Sequence, residues 1–298
     1  MTSGFNNYEG VYWVFTQVCN DNCDHCYNLS SPEGARISEE ECLAIVGNLP
    51  DMVGQVMLSG GEPLTERKKL NLILDALNGK YNRGTRLMLQ TNGDLLTEEI
   101  LDELISKNVS RFDIASYDRY HKAAGNHIEE LGELFDSRGV KLENDPLHHD
   151  RGPLSWGYWG ANEDFWLGGN WARGRALQKK LWKKDPNHNF CALHSGAKGF
   201  LGGTDQPQEV TIQLWKISPC CPGTKFPLGD ARKEKVSDVL QHVSKSRVFR
   251  RLNEGDPFTM GESLGVTKEF ATARTASRQN VCLWCDEFFE RYRDRIEY

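Results

Sequence analysis

The sequence predicts an α/β fold, with strand and helix units alternating around a parallel sheet and a second, smaller module behind them. Three observations carry this expectation. Residues 1–145 alternate short apolar runs with amphipathic stretches. The rhythm breaks between Pro146 and Gly174, where Gly, His and Trp dominate. The cysteines form one set near the N-terminus and another in the last third.

Taken in order, strands are expected over 12–16, 55–59, 86–90, 111–116 and 140–143. Ser38 opens a helix with a capping box, since Glu41 stands three residues on; Thr97 opens another with Ile100 there, an incomplete match. The second helix is expected over 65–78, stopped by Gly79. A sixth strand is expected over 164–167 and a helix over 171–183. Beyond these, strands at 198–201 and 210–217, helices near 236–252 and a polar helix from Asp286 make up the second module. No repeat or low-complexity segment interrupts the chain.

Hydrophobic content of 39%, charged content of 26% and a formal net charge of −6 over 298 residues describe a soluble globular chain. No basic excess attracts nucleic acid. No apolar run reaches the roughly eighteen residues that would cross a membrane, and no targeting segment opens the sequence, so a cytoplasmic location is expected. Nine cysteines in a reducing compartment point to metal ligation or catalysis rather than disulfides.

The run Cys19-Asn20-Asp21-Asn22-Cys23-Asp24-His25-Cys26-Tyr27 follows the first strand and so falls on a loop at the carboxyl end of a parallel sheet. Three thiolates can face one point there. A four-iron cluster usually takes four cysteines, so three leave one iron open to an outside ligand. Zinc competes, but a structural zinc site wants four closed ligands. Directly after the second strand come Gly60, Gly61, Glu62 and Pro63. Glycines let backbone approach a ligand, and a glutamate can offer charge to an ammonium. Gln90 and Asn92 follow the third strand, and Ser116 and Asp118 the fourth.

The CxxxCxxC pattern, with His25 before the last cysteine and the GGEP run one strand later, resembles the radical S-adenosylmethionine superfamily. The resemblance implies a partial (β/α)6 TIM-type barrel over residues 1–185. Cys19, Cys23 and Cys26 would hold a 4Fe-4S cluster. Its open iron would bind the amine and carboxylate of S-adenosylmethionine, and an electron from the cluster would cleave the cofactor to a 5'-deoxyadenosyl radical that abstracts a substrate hydrogen. Tyr27, Gly60, Gly61, Glu62, Pro63, Gln90, Asn92, Ser116 and Asp118 would contact the cofactor. A flavodoxin or ferredoxin would supply the electron.

In the last third, Cys191, then Cys220 and Cys221 between prolines, then Cys282 and Cys285 in a CxxC resemble the Twitch module, the short relative of the SPASM domain, as does the upstream Gly174-Arg175-Ala176. This likeness implies a small α+β module over 186–298 whose Cys191, Cys220, Cys282 and Cys285 ligate a second, auxiliary 4Fe-4S cluster. A zinc ribbon remains the competing reading of four such thiolates, and Cys220 and Cys221 can exchange roles. The spare Cys221 is a candidate hydrogen-atom donor to a substrate radical; otherwise it packs as a small hydrophobe. Cys42 is the other candidate donor, but inside an amphipathic helix it reads as core.

Trp156, Tyr158, Trp159, Trp166 and Trp171 interleave with His148, His149, Asp150, Arg151, Glu163 and Asp164. The rings either plug the side of an incomplete barrel or line a substrate site, stacking on a sugar or a peptide aromatic. The family plan suits dehydrogenation or epimerisation of a sugar, aminocyclitol or similar natural-product intermediate. Maturation of a ribosomally made peptide is the alternative, weakened by the absence of a long segment before the first strand. A ferredoxin-like carrier or a zinc-structured module explains neither the open three-cysteine site nor the GGEP run.

Overall fold

The computed structural model describes residues 5, 7–121, 127–144, 154–160 and 171–298. The chain forms two compact units: Trp13–Gly47 with Gly54–Trp182, and Met1–Tyr12 with Asn48–Val53 and Lys183–Tyr298. Two short segments from before residue 60 therefore belong with the C-terminal part, which a single cut at 185 does not anticipate.

The elements of the first half are β1 (Asn7–Val14), α1 (Glu39–Asn48), β2 (Met52–Ser59), α2 (Arg67–Tyr81), β3 (Arg86–Thr91), α3 (Glu98–Ser106), β4 (Val109–Ile114), α4 (Ile128–Asp136), β5 (Lys141–Leu142), β6 (Ser155–Tyr158) and α5 (Gly174–Gln178). β2–β3, β3–β4, β4–β6 and β6–β5 pair in parallel, giving an open sheet. The expected α/β class with a parallel sheet is what the chain adopts.

The capping box at Ser38 forms as expected: Ser38 N–H donates to Glu41 at 2.8 Å, and Glu41 N–H to the Ser38 hydroxyl at 3.2 Å. Thr97 accepts from Ile100 N–H, completing half of its box. Gly79 does not stop the second helix. A 3-10 turn over Pro63–Glu66 precedes α2, which runs through Gly79 to Tyr81 and ends where Asn82 turns left-handed at φ 47°. Leu70, Ile73, Leu74 and Leu77 bury one face of α2, and that burial outweighs the roughly 1 kcal/mol a mid-helix glycine costs.

The strand expected over 164–167 lies outside the described residues. The loop reading is corrected at Ser155–Tyr158, where a strand forms. It inserts between β4 and the two-residue edge strand β5. Trp156 stacks on Phe135 of α4 at 4.8 Å, and Phe135 packs on Phe112 of β4 at 5.5 Å. Burial of this aromatic layer makes a strand of a sequence whose glycines and tryptophans hide the alternation. Trp156 is therefore a core ring. The helix expected over 171–183 is only Gly174–Gln178.

The C-terminal unit contains β7 (Glu209–Gln213), β8 (Lys216–Ser218), β9 (Gly229–Asp230), α6 (Val236–Val243), α7 (Arg247–Asn253), α8 (Lys268–Arg278) and α9 (Val281–Tyr292). The strand expected at 210–217 is an antiparallel hairpin, because Leu214 turns the chain at φ 55°. The one expected at 198–201 is a turn. The last helix begins at Val281, five residues before Asp286, capped by the Asn280 side chain accepting from Cys282 N–H at 2.9 Å. Among the described residues no helix is long and apolar enough to cross a membrane.

Candidate functional site: a cysteine loop over the strand ends

The loop from Cys19 to Ser31 leaves β1 and returns beside it, Cys19 N–H donating to Ser31 O at 3.0 Å. Cys19 and Cys23 are buried and Cys26 partly so. Two sulfurs accept backbone hydrogen bonds, Cys19 Sγ from Asp21 N–H at 3.4 Å and Cys26 Sγ from Ser30 N–H at 3.3 Å. The Cys23 thiol donates to the Asp21 carboxylate at 3.2 Å. Burial pushes the Cys19 thiol up to about 12 and raises Cys23 as well. Free of a metal these thiols stay protonated at neutral pH, so ligation displaces protons.

The GGEP run is pressed against the chain leading into this loop. Gly61 N–H donates to Thr16 O and Glu62 N–H to Val18 O, both at 2.8 Å. A Cβ on Gly61 would lie 2.3 Å from Val18 O and 2.9 Å from Cys19 Cβ, so a side chain there would displace the first cysteine. Pro63 opens the 3-10 turn that follows, where its missing N–H is no loss.

Glu62 lies just beyond β2. Fully buried, it accepts from Leu64 N–H at 2.9 Å, the Thr91 hydroxyl at 2.7 Å and Asn92 N–H at 2.7 Å. Its carboxylate thus ties the end of β2 to the end of β3. Burial raises its pKa to about 7, and the three donors pull the other way. From Thr91 the network spreads: the Asn92 side chain donates to Asn20 at 2.8 Å, Ser116 Oγ donates to Asn92 O at 2.7 Å, and Ser59 Oγ donates to Gln90 at 2.9 Å. Gln90, Asn92 and Ser116 come together with Glu62 at the carboxyl edge of the sheet, where α/β proteins bind ligands.

Asp118 joins the cysteine loop from the β4 side. Its carboxylate lies 3.7 Å from His25 Nε2 and 3.0 Å from His121 Nδ1 and accepts from Tyr120 N–H at 2.8 Å. His25 stacks on Tyr120 at 4.4 Å. Burial, only partly offset by Asp118, lowers His25 to about 4, so the ring between two cysteines is neutral at physiological pH, and its buried Nδ1 has no hydrogen-bond partner. Tyr27 meets Trp171 edge-on at 4.6 Å. Trp171 thus stands beside the site, unlike Trp156. Trp166, Glu163, Asp164 and His148 to Arg151 lie outside the described residues.

Sequence reading missed the polar links of Asn20, whose side chain also donates to Asp94 at 3.1 Å, and the grip of Arg175. Its N–H donates to Cys26 O at 2.8 Å, its Nε to Cys23 O at 3.0 Å and its Nη2 to Ser30 O at 2.6 Å. The Gly174-Arg175-Ala176 motif flagged the position but not the partner.

The second set of cysteines lies in the C-terminal unit. Cys282 and Cys285 are one turn apart at the start of α9 and share a face. Cys191 lies in a 3-10 turn over Phe190–Ala192 whose carbonyls receive the following backbone. Cys220 is partly exposed and Cys221 buried, with Cys221 N–H donating to Ser195 O at 2.9 Å and Cys221 O accepting from Gln213 at 2.7 Å.

An open parallel sheet carries a thiol loop and a polar network over its strand ends, the edge at which α/β folds place their sites. Residues 13–129 match the Radical SAM superfamily, so this segment is similar to radical SAM domains. The curated relatives it resembles include an AdoMet-dependent heme synthase of Methanosarcina barkeri, 31% identical over 108 residues. Another is a 7-carboxy-7-deazaguanine synthase of Hyperthermus butylicus, 32% identical over 97 residues. The matches cover 35% and 31% of this chain and only 30% and 39% of those proteins. The crystal structure of BtrN in complex with AdoMet and 2-DOIA is similar in fold, with a TM-score of 0.52 and 18% identity over 83% of this chain and 88% of that one.

The family implies S-adenosylmethionine and a 4Fe-4S cluster, and the residues present fit them. The donor set is three thiols, and backbone N–H groups already point at two of the sulfurs, the kind of hydrogen bond that tunes an iron-sulfur cluster. A single tetrahedral zinc would hold its sulfurs about 3.8 Å apart. Beside the cysteine loop, His25, Asp118 and His121 bring one nitrogen or oxygen ligand atom each within 4.8 Å of one another.

Proposed function

We propose that Cys19, Cys23 and Cys26 hold the 4Fe-4S cluster and that the enzyme removes a hydrogen atom from a small polar substrate, for dehydrogenation or epimerisation of a sugar, aminocyclitol or related intermediate. The carrying observation is the three-thiol loop seated on the glycines of the GGEP run. When bound, the cluster and S-adenosylmethionine supply reductive cleavage of the cofactor and a carbon-centred radical. The chain's own residues do the rest. Gly61 keeps the space beside Cys19 free of a side chain and Gly60 the space beside Thr16, and their backbone is the surface for the methionyl group. The Glu62–Thr91–Asn92 network holds the strand ends rigid, with Gln90 and Ser116 as polar contacts. His25, neutral and stacked on Tyr120, presents a flat face for the adenosyl end, held by Asp118.

Cys191, Cys220, Cys282 and Cys285 are assigned to an auxiliary 4Fe-4S cluster in a Twitch-like module over 186–298. The exposure of Cys220 and burial of Cys221 support Cys221 as the spare thiol. A cluster in this unit would accept the electron released by dehydrogenation, whereas epimerisation needs a hydrogen atom returned, for which Cys221 is the candidate. A flavodoxin or ferredoxin is the expected reductant. The BtrN fold holding AdoMet with a second ligand supports a substrate bound in the same architecture.

Anaerobic reconstitution tests the reading. About eight irons per chain and dithionite-dependent 5'-deoxyadenosine are expected. No cleavage under any reductant overturns it. Deuterium transfer from labelled candidate substrates into 5'-deoxyadenosine then identifies the substrate class, with a precursor peptide as the competing test compound.

A further inference from the structure

We propose that Arg175 is a positioning residue for the cluster held by Cys19, Cys23 and Cys26, and that it sets the reduction potential of that cluster through the backbone of the cysteine loop. The inference rests on the cluster assignment above.

Arg175 contacts none of the three sulfurs in the hydrogen-bond geometry. It grips the chain that carries them. Nε holds the Cys23 carbonyl, which also accepts Cys26 N–H at 3.1 Å, so one oxygen anchors two ligands. Nη2 holds the Ser30 carbonyl, while Ser30 N–H donates to Cys26 Sγ. The guanidinium therefore fixes the residue that supplies an N–H···S bond. Such bonds to sulfur, with local charge, set iron-sulfur potentials. Arg175 N–H donates to Cys26 O, closing a third point of attachment.

Gly174 makes the grip feasible. Its φ is +51°, and a Cβ would fall 2.3 Å from Tyr27 O and 2.7 Å from Cys26 O. Only a residue without a side chain brings Arg175 this close. A planar fork can hold two carbonyls at once, which a lysine ammonium on a flexible stem does less rigidly. The positive charge also favours the reduced, more negative cluster. Loss of Arg175 thus removes a cation and frees an N–H···S donor, and both changes lower the potential.

The test compares unaltered holoenzyme with Arg175→Gln and Arg175→Lys, all reconstituted anaerobically and checked for fold by far-UV circular dichroism. The readouts are the electron paramagnetic resonance spectrum of the reduced protein, its change on adding S-adenosylmethionine, and a redox titration of the signal that responds. Only a cluster with an open iron responds to the cofactor, so the auxiliary cluster does not confuse the reading. Arg175→Gln is expected to move the responsive signal to a more negative potential and to broaden it. Arg175→Lys is expected to recover part of the potential, because the charge returns, but not the line shape. If Arg175→Gln does not fold, Arg175→Lys decides by its line shape. An unaltered protein whose signal ignores S-adenosylmethionine overturns the cluster assignment itself. A normal response with both potential and line shape unmoved in the variants overturns only the role of Arg175.

Discussion

Glu62, beside the cysteine loop, and Glu287, on α9 of the C-terminal unit, are both almost wholly buried, yet they are compensated by opposite means. Glu62 has three neutral donors and no cation, and burial lifts it to about 7. Glu287 accepts from Arg274 at 2.8 Å through both oxygens, from Arg278 at 2.9 Å and from Arg291 at 2.9 Å. The Arg274 hydrogen bonds hold it below the usual carboxylate range against burial. Neutral donors orient a carboxylate without fully restoring its lost hydration, whereas cations do both. The first arrangement leaves a sensitive group in a site. The second staples α8 to the helix bearing Cys282 and Cys285.

The sharpest break of this comparison comes from the cysteines each unit carries. Cys19→Ala is expected to reduce 5'-deoxyadenosine formation to background. Cys282→Ala should lose about four of about eight irons and keep cofactor cleavage, measured by iron assay and chromatography. Equal loss of cleavage in both variants would show that the two sets do not act separately.

Next in size is the staple. Glu287→Ala should cost about 2–3 kcal/mol, the worth of hydrogen bonds to charged groups, seen as a lower urea midpoint. Because its folded pKa is depressed, the stability Glu287 contributes is present above its unfolded pKa and is lost as pH falls through the folded value.

Glu62 behaves with the opposite sign. With its folded pKa raised, the stability it contributes is full below about 4.5 and is lost as pH rises through about 7. Glu62→Gln turns an NH₂ toward donors that need an acceptor and should cost about 1–3 kcal/mol. It should also flatten the stability-versus-pH slope in that window. An unchanged slope in urea titrations across pH would mean another group carries it. The smallest effect is expected at Cys221→Ala. Cofactor cleavage should persist, while an epimerising enzyme would lose hydrogen return to its product; unchanged product and turnover would remove Cys221 from the chemistry.

Much of the site was legible because its residues are local motifs. The cysteine spacing, the GGEP run and the positions after β3 and β4 announce themselves within a few residues, and the strand rhythm places them on one edge. The polar partners were not legible. Asn20 looks like an ordinary loop residue until Asn92 reaches it, and nothing in the sequence pairs Glu62 with Thr91. β6 was hidden for a similar reason: Trp156 becomes a strand residue only when Phe135 covers it. At Gly79, local propensity pointed to a stop that the buried face of α2 overrode.

What the sequence determined by itself is the chemistry on offer: three thiols in a CxxxCxxC spacing, glycines where backbone must approach, and a second cysteine set ending in a CxxC. These are properties of residue type and spacing. Only the tertiary structure decided that Gly174-Arg175 closes on the cysteine loop from some 150 residues away, that Glu62 binds strands together, and that Trp156 is core while Trp171 meets Tyr27. Those outcomes depend on which groups lose water together, and burial is settled by the whole fold rather than by neighbours in sequence.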